Sequence, residues 1–294
     1  MSKKFKGTGV AIVTPFHKHG TVDFTSLGKL IDHIINNGIN YIVALGTTGE
    51  TATLTEKEKI AVTDFIIETT DKRVPIVLGI GGNNTQKLIE QVKETNFDGI
   101  DAILSVAPYY NKPQQKGLYY HFKSIADVSP VPMIIYNVPG RTGVNISVET
   151  TLKLANEVEC IIGIKEASGN LMQIMQIIKD KPKDFLVISG DDALTMPTIC
   201  AGADGVISVV ANAFPKEFSE MVQYALDGKM LKAKELHYKL FDFGNAIFED
   251  GSPAGIKAAL EVLDLCQNNL RLPLVKVNKQ TLLNIHNKVK EITN

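Results

Sequence analysis

The chain of 294 residues is 44% hydrophobic and 21% charged, enough to bury one large core or two smaller ones. Its 31 basic and 32 acidic residues leave a formal charge of −1, so it has no field of one sign with which to hold nucleic acid or an anionic membrane. No apolar stretch approaches the roughly 18 residues that a membrane helix needs.

Short apolar runs rich in Val and Ile punctuate the chain. The first, at 10–13, is followed by Leu27, Leu30, Ile31 and Ile34 at helical spacing and then by a second run at 41–45. A capping box, Thr55-Glu56-Lys57-Glu58, opens the next helix ahead of a third run at 76–80. Further runs at 102–106, 133–136, 161–164, 186–189 and 206–210 alternate with helical segments. For these, Thr85, Ser147 and Asn170 are candidate N-caps, and Gly38, Gly99, Gly202 and Gly228 candidate C-terminal caps. Continuous rather than alternating apolarity marks strands covered on both faces. About eight strand–helix units over residues 1–228 predict a (β/α)8 barrel, with a doubly wound sheet as the alternative on pattern alone. Residues 229–294 carry no strand runs. Three helical segments near 231–248, 255–265 and 279–292 predict a C-terminal helical appendage.

Cys160, Cys200 and Cys266 lie far apart without C-x-x-C spacing, which argues against a secreted disulfide framework. Each is expected to pack as a small buried hydrophobe in a protein of the reducing cytoplasm. The basic start of the chain is followed by too short an apolar run for a targeting segment.

In a barrel the site forms at the C-terminal ends of the strands. Lys165 ends the sixth run, on the face expected to hold Gly163 and Ile161. An amine held in apolar surroundings has a lowered pKa. At pH 7 a free lysine is neutral in roughly one molecule in 2,500, whereas a pKa of about 8 raises that to roughly one in ten. A neutral amine can attack a ketone and form an imine. Tyr136, ending the fifth run, is placed to carry protons to and from the carbinolamine oxygen. Thr47 and Thr48, between Gly46 and Gly49, offer hydroxyl and N–H donors to a carboxylate, and Arg141 can fork onto a second one. The bland readings are a solvated strand-end lysine, a core tyrosine and a surface arginine. The Walker pattern is absent and the Gly79-Ile-Gly-Gly stretch lacks the third glycine of a dinucleotide fingerprint, so no nucleotide cofactor is expected. Six scattered histidines without H-E-x-x-H spacing imply no metal.

Gly46-Thr-Thr-Gly-Glu50, Pro108-Tyr-Tyr-Asn111, Tyr136-Asn-Val-Pro139, Gly163-Ile-Lys-Glu166 and Gly205-Val-Ile-Ser-Val209 occur in an order that resembles the pyruvate-dependent Schiff-base lyases, over essentially the whole chain. That family includes dihydrodipicolinate synthases, N-acetylneuraminate lyases and keto-deoxy sugar-acid aldolases. The resemblance implies that Lys165 forms the imine with pyruvate and that Tyr136 moves protons. Thr47 would relay them between Tyr136 and Tyr110, and Thr48 and the backbone at Ile207 would hold pyruvate. Tyr110 is implied to enter a neighbouring subunit's site, hence a homo-oligomer, dimer or tetramer. The pattern Tyr-Asn-Val-Pro-x-Arg-Thr-Gly belongs to the dihydrodipicolinate synthase branch and implies that Arg141 binds the carboxylate of L-aspartate 4-semialdehyde, in a step toward diaminopimelate and lysine. The alternative within the family is a sialic or keto-deoxy sugar acid. Lysine-inhibited relatives carry histidine and glutamate in a lysine-binding cleft, where this chain has Glu56, Lys59 and Lys87. Weak or absent lysine inhibition is therefore expected, although Asn83 and Tyr109 match the inhibited pattern.

Overall fold

The apolar runs do not alternate because every strand is covered on both faces. A computed structural model describes residues 2–293. In it β1 (Gly7–Ala11), β2 (Tyr41–Ala44), β3 (Ile76–Gly79), β4 (Ala102–Val106), β5 (Met133–Asn137), β6 (Ile161–Glu166), β7 (Leu186–Ser189) and β8 (Gly205–Ser208) close into a parallel barrel in chain order. β8 pairs back onto β1, which excludes the doubly wound alternative. Strand residues separate into two apolar clusters. Val43, Val77, Leu104, Ile134, Ile188 and Ile207 fill the interior, while Ile42, Ile103, Ile135, Ile164, Val187 and Val206 pack outward against helices. Fully buried Phe5 and Tyr41 plug the N-terminal end, their rings edge to face at 5.7 Å. The Tyr41 hydroxyl donates to the Val206 carbonyl at 3.2 Å. A side chain on Gly9 would meet the Tyr41 ring at 2.2 Å, so this ring needs a glycine opposite it.

Helices α1 (Phe24–Asn36), α2 (Glu56–Thr70), α3 (Thr85–Glu94), α4 (Gln115–Ala126), α5 (Pro139–Thr142), α6 (Val148–Glu157), α7 (Leu171–Asp180), α8 (Thr195–Cys200) and α9 (Pro215–Leu226) connect or follow the strands. Their starts obey capping chemistry: the Thr55 and Glu58 box is complete, and Ser147 and Asn170 cap α6 and α7. α3 is capped by Asn84 rather than Thr85, because the Asn84 side chain reaches the Lys87 N–H while the Thr85 hydroxyl bonds His121. Gly38, Gly99, Gly202 and Gly228 all have positive φ, but Gly99 lies in the loop beyond the α3 cap at Thr95. Cys266 is buried as expected, whereas Cys160 is only half-buried and Cys200, which ends the short α8 on its outward side, is exposed.

α10 (Met230–Ala246) and α11 (Ala254–Val262) both pack against α12 (Lys279–Thr293), and α10 lies along α9. An ion pair ties this region to the barrel. Lys257 on α11 and Glu50 in the turn after β2 are both fully buried and paired. The Lys257 amine also donates to the Asn269 carbonyl at 2.9 Å and lies 4.2 Å above the Phe16 ring, and the Arg271 N–H donates to the second Glu50 oxygen at 3.1 Å. Removing one member of a buried pair strands the other, at a cost of about 3–5 kcal/mol. Lys257→Met should lose about that much in urea denaturation, and Glu50→Gln/Lys257→Met should recover part of it. A single-variant loss near zero would mean that the pair does not brace the fold.

Candidate active site

β6 does not alternate along its whole length. Met133 pairs with Ile161 and Ile134 with Gly163, so Ile162 is an extra, bulged residue. Ile161 consequently packs with the outer cluster and Ile162 against the interior one, correcting the expectation that Ile161 shares a face with Lys165. Beyond the bulge Ile164 points outward and Lys165 inward, directly across from Tyr136 on β5.

The Lys165 side chain is 6% exposed and its Nζ stands 4.3 Å over the Tyr136 ring. Burial is the main influence on the amine and pushes its pKa down to about 8; Arg141 adds to the fall and Asp192 opposes it. Burial likewise pushes the Tyr136 phenol up to about 12, partly offset by Arg141 and by the nearby Thr47 hydroxyl, which contacts it too loosely for a well-formed bond. The mouth therefore holds an amine with an appreciable neutral fraction beside a phenol that keeps its proton. Gly190 makes room for them: a side chain there would come within 3.0 Å of Lys165 Cε and 2.7 Å of Ala167 Cβ.

Other expected residues gather at the same end of the barrel. Thr47, Thr48 and Gly49 form a single helical turn after β2, with Thr48 buried and Thr47 exposed. Leu45 and Glu50 flank this turn in left-handed conformations, each costing about 1–2 kcal/mol. Ile207 lies inside the barrel with its backbone opposite Gly9. Arg141 is exposed on α5, within electrostatic reach of both Tyr136 and Lys165. Tyr110 is not brought to the cluster: its ring is 89% exposed and its backbone left-handed, with φ 73°. The loop that carries it is held by Asn83 donating to the Tyr109 carbonyl and Asn111 donating to the Asn83 carbonyl.

Asp192 was not singled out by sequence reasoning. It lies in the Ser189-Gly190-Asp191-Asp192 stretch that ends the seventh run and is buried, with one oxygen accepting the Val209 and Val210 N–H groups at 3.0 Å and the other unpartnered. Burial raises its pKa. Its position after the β7 run was the available signal. Among the described residues, no cluster of three or more His, Cys, Asp or Glu could hold a metal ion, and no helix is long and apolar enough to cross a membrane.

The model of the dihydrodipicolinate synthetase family matches residues 4–292. A 4-hydroxy-tetrahydrodipicolinate synthase of Flavobacterium psychrophilum is 52% identical over 94% of this chain and 94% of its own. One of Parabacteroides distasonis is 50% identical over 98% and 95%. The crystal structure of a chloride-inhibited dihydrodipicolinate synthase from Acinetobacter baumannii, complexed with pyruvate, superposes with a TM-score of 0.95 at 42% identity, covering 98% of this chain and 99% of that one.

A depressed lysine pKa has a defined sign in stability. Between about pH 8 and 10.5 the unfolded chain keeps the Lys165 proton and the folded chain has released it, so stability rises with pH across that window. Lys165→Met should remove this rise. The carbon resonance of Lys165 Cε should titrate near pH 8, and a midpoint above 10 would contradict the burial effect.

Proposed function

The chain belongs to the dihydrodipicolinate synthetase family, and from that premise we propose that it condenses pyruvate with L-aspartate 4-semialdehyde through an imine on Lys165. One observation carries the reading: a buried amine with a pKa near 8, stacked on a protonated phenol, at the mouth of a barrel. The neutral Lys165 amine attacks C2 of pyruvate. Tyr136 passes a proton to the carbinolamine oxygen, which leaves as water, and the iminium nitrogen then draws electrons from C3 as that carbon gives up a proton. The resulting enamine bonds to the aldehyde carbon of the semialdehyde. Its amino group next attacks C2 and closes the ring, releasing the Lys165 amine and 4-hydroxytetrahydrodipicolinate.

In this reading Thr48 and the backbone at Ile207 hold pyruvate, and Arg141 forks onto the carboxylate of the semialdehyde. A sialic or keto-deoxy sugar acid is the weaker reading, since a guanidinium in that place suits a carboxylate better than a chain of hydroxyls. Tyr110 completes the proton relay through Thr47 from a second copy of the chain, a role that its exposed ring and fixed backbone support; we accordingly read the protein as a cytoplasmic homo-oligomer. No cofactor or metal enters any step.

The test is turnover of both substrates, followed by mass detection of the cyclic product. Arg141→Ala should raise KM for the semialdehyde by about tenfold or more, the worth of one charge-assisted fork, and leave KM for pyruvate within about twofold. Equal effects on both would remove Arg141 from the second substrate. Glu56 is already paired with Lys59 at 2.8 Å and Lys87 is exposed, an arrangement that repels rather than attracts the amino groups of lysine. Millimolar lysine should leave the steady-state rate nearly unchanged, and half-inhibition well below that concentration would refute this.

A further inference from the structure

Glu166 follows Lys165 on β6 but points out of the barrel, into a buried polar network that the reaction above does not use. One of its oxygens accepts the Ser168 N–H at 2.7 Å, and the other accepts Gln173 Nε2 from α7 at 2.8 Å. Asn137 Nδ2, at the end of β5, lies 3.0–3.1 Å from both. Among the described residues no lysine or arginine pairs with Glu166, so amides alone satisfy it.

A carboxylate only accepts, and it therefore forces both amides to turn their NH2 groups toward it. Their carbonyl oxygens are then committed elsewhere. Asn137 Oδ1 accepts the Ile146 N–H at 2.9 Å, and Gln173 Oε1 accepts Asn145 Nδ2 at 2.8 Å. Asn137 Nδ2 also reaches Asn145 Oδ1 at 2.8 Å. These bonds fasten residues 145–146 to the end of β5, and between the two anchor points runs the short segment that bears α5 and Arg141. One acid thus sets the polarity of the Asn137, Gln173 and Asn145 amides that close the arginine loop, while Gln115 on α4 holds the Asn145 carbonyl and the Ser147 N–H beside them.

We infer that Glu166 is a positioning residue for the second substrate: through Asn137, Gln173 and Asn145 it fixes the placement of Arg141 relative to Lys165. The inference rests on the reading of Arg141 as the carboxylate-binding group of the semialdehyde. Glu166→Gln replaces an acceptor by a donor, so the amide orientations are no longer dictated and the loop loosens. Displacing a binding group by an ångström costs up to about a hundredfold, and partial loosening should raise KM for the semialdehyde by about five- to twentyfold. KM for pyruvate should stay within about twofold. Asn145→Ala, which removes only the loop-side partner, should act in the same direction and provides the measurement should Glu166→Gln fail to fold.

Steady-state kinetics with each substrate varied in turn separates positioning from general damage, because only the semialdehyde KM should move. If Glu166→Gln and Asn145→Ala leave that KM unchanged, or raise the pyruvate KM equally, Glu166 does not position the loop. Arg141→Ala, assayed alongside, distinguishes the two levels: if it leaves the semialdehyde KM unchanged, the underlying reading of Arg141 fails and takes this inference with it.

Discussion

An ammonium group removed from water inside an apolar barrel has lost hydration that hydrocarbon neighbours cannot replace. At Lys165 the fold meets that constraint by weakening the amine's hold on its proton: burial outweighs the opposing charge of Asp192, and the pKa falls to about 8. Nearly everything else at the mouth follows from this. The ring of Tyr136 forms one wall, the bare Cα of Gly190 leaves space for the amine's alkyl stem, and the bulge at Ile162 turns the lysine inward, where uninterrupted alternation from the outward-facing Ile161 would have pointed it at the helices. The same burial holds the Tyr136 phenol protonated, so a base and an acid arise side by side from one physical cause.

Around this dry centre the polar machinery sits on braced loops. The Thr47–Thr48 turn begins at left-handed Leu45 and ends at left-handed Glu50, and Glu50 is clamped by Lys257 and the Arg271 backbone from the C-terminal region. Asp192 caps the backbone at Val209 and Val210, just past the strand that contributes Ile207. Glu166 organises the amides at the base of the arginine loop. Three buried carboxylates thus each fasten a different loop to the rigid barrel, and precise placement of groups that never touch one another in sequence becomes possible.

Much of this was legible in the chain, for reasons that differ from element to element. Strand runs were readable because strands covered on both faces appear as short, continuous Val- and Ile-rich runs, too short for helices, and the Thr55 to Glu58 box declares a helix start outright. Lys165, Tyr136, Thr47, Thr48 and Arg141 were found by looking just past those runs. The bulge was invisible, since Ile161, Ile162 and Ile164 are the same residue type and nothing local distinguishes inward from outward. Asp192 and Glu166 were passed over because a carboxylate in sequence looks solvated until the backbone N–H groups and amides that receive it are seen together in space. Asn84 displaced Thr85 as a cap through competition from His121, a residue 36 positions away. The shared cause is that long-range polar pairing leaves no periodic mark.

The most direct test of the central claim is the intact mass of the protein after borohydride reduction in the presence of pyruvate, with the modified site located by peptide mapping. A single reduced pyruvate adduct on Lys165, lost in Lys165→Ala while the variant remains folded, is the expected result. No adduct, or an adduct that persists in Lys165→Ala, would contradict imine chemistry at this lysine.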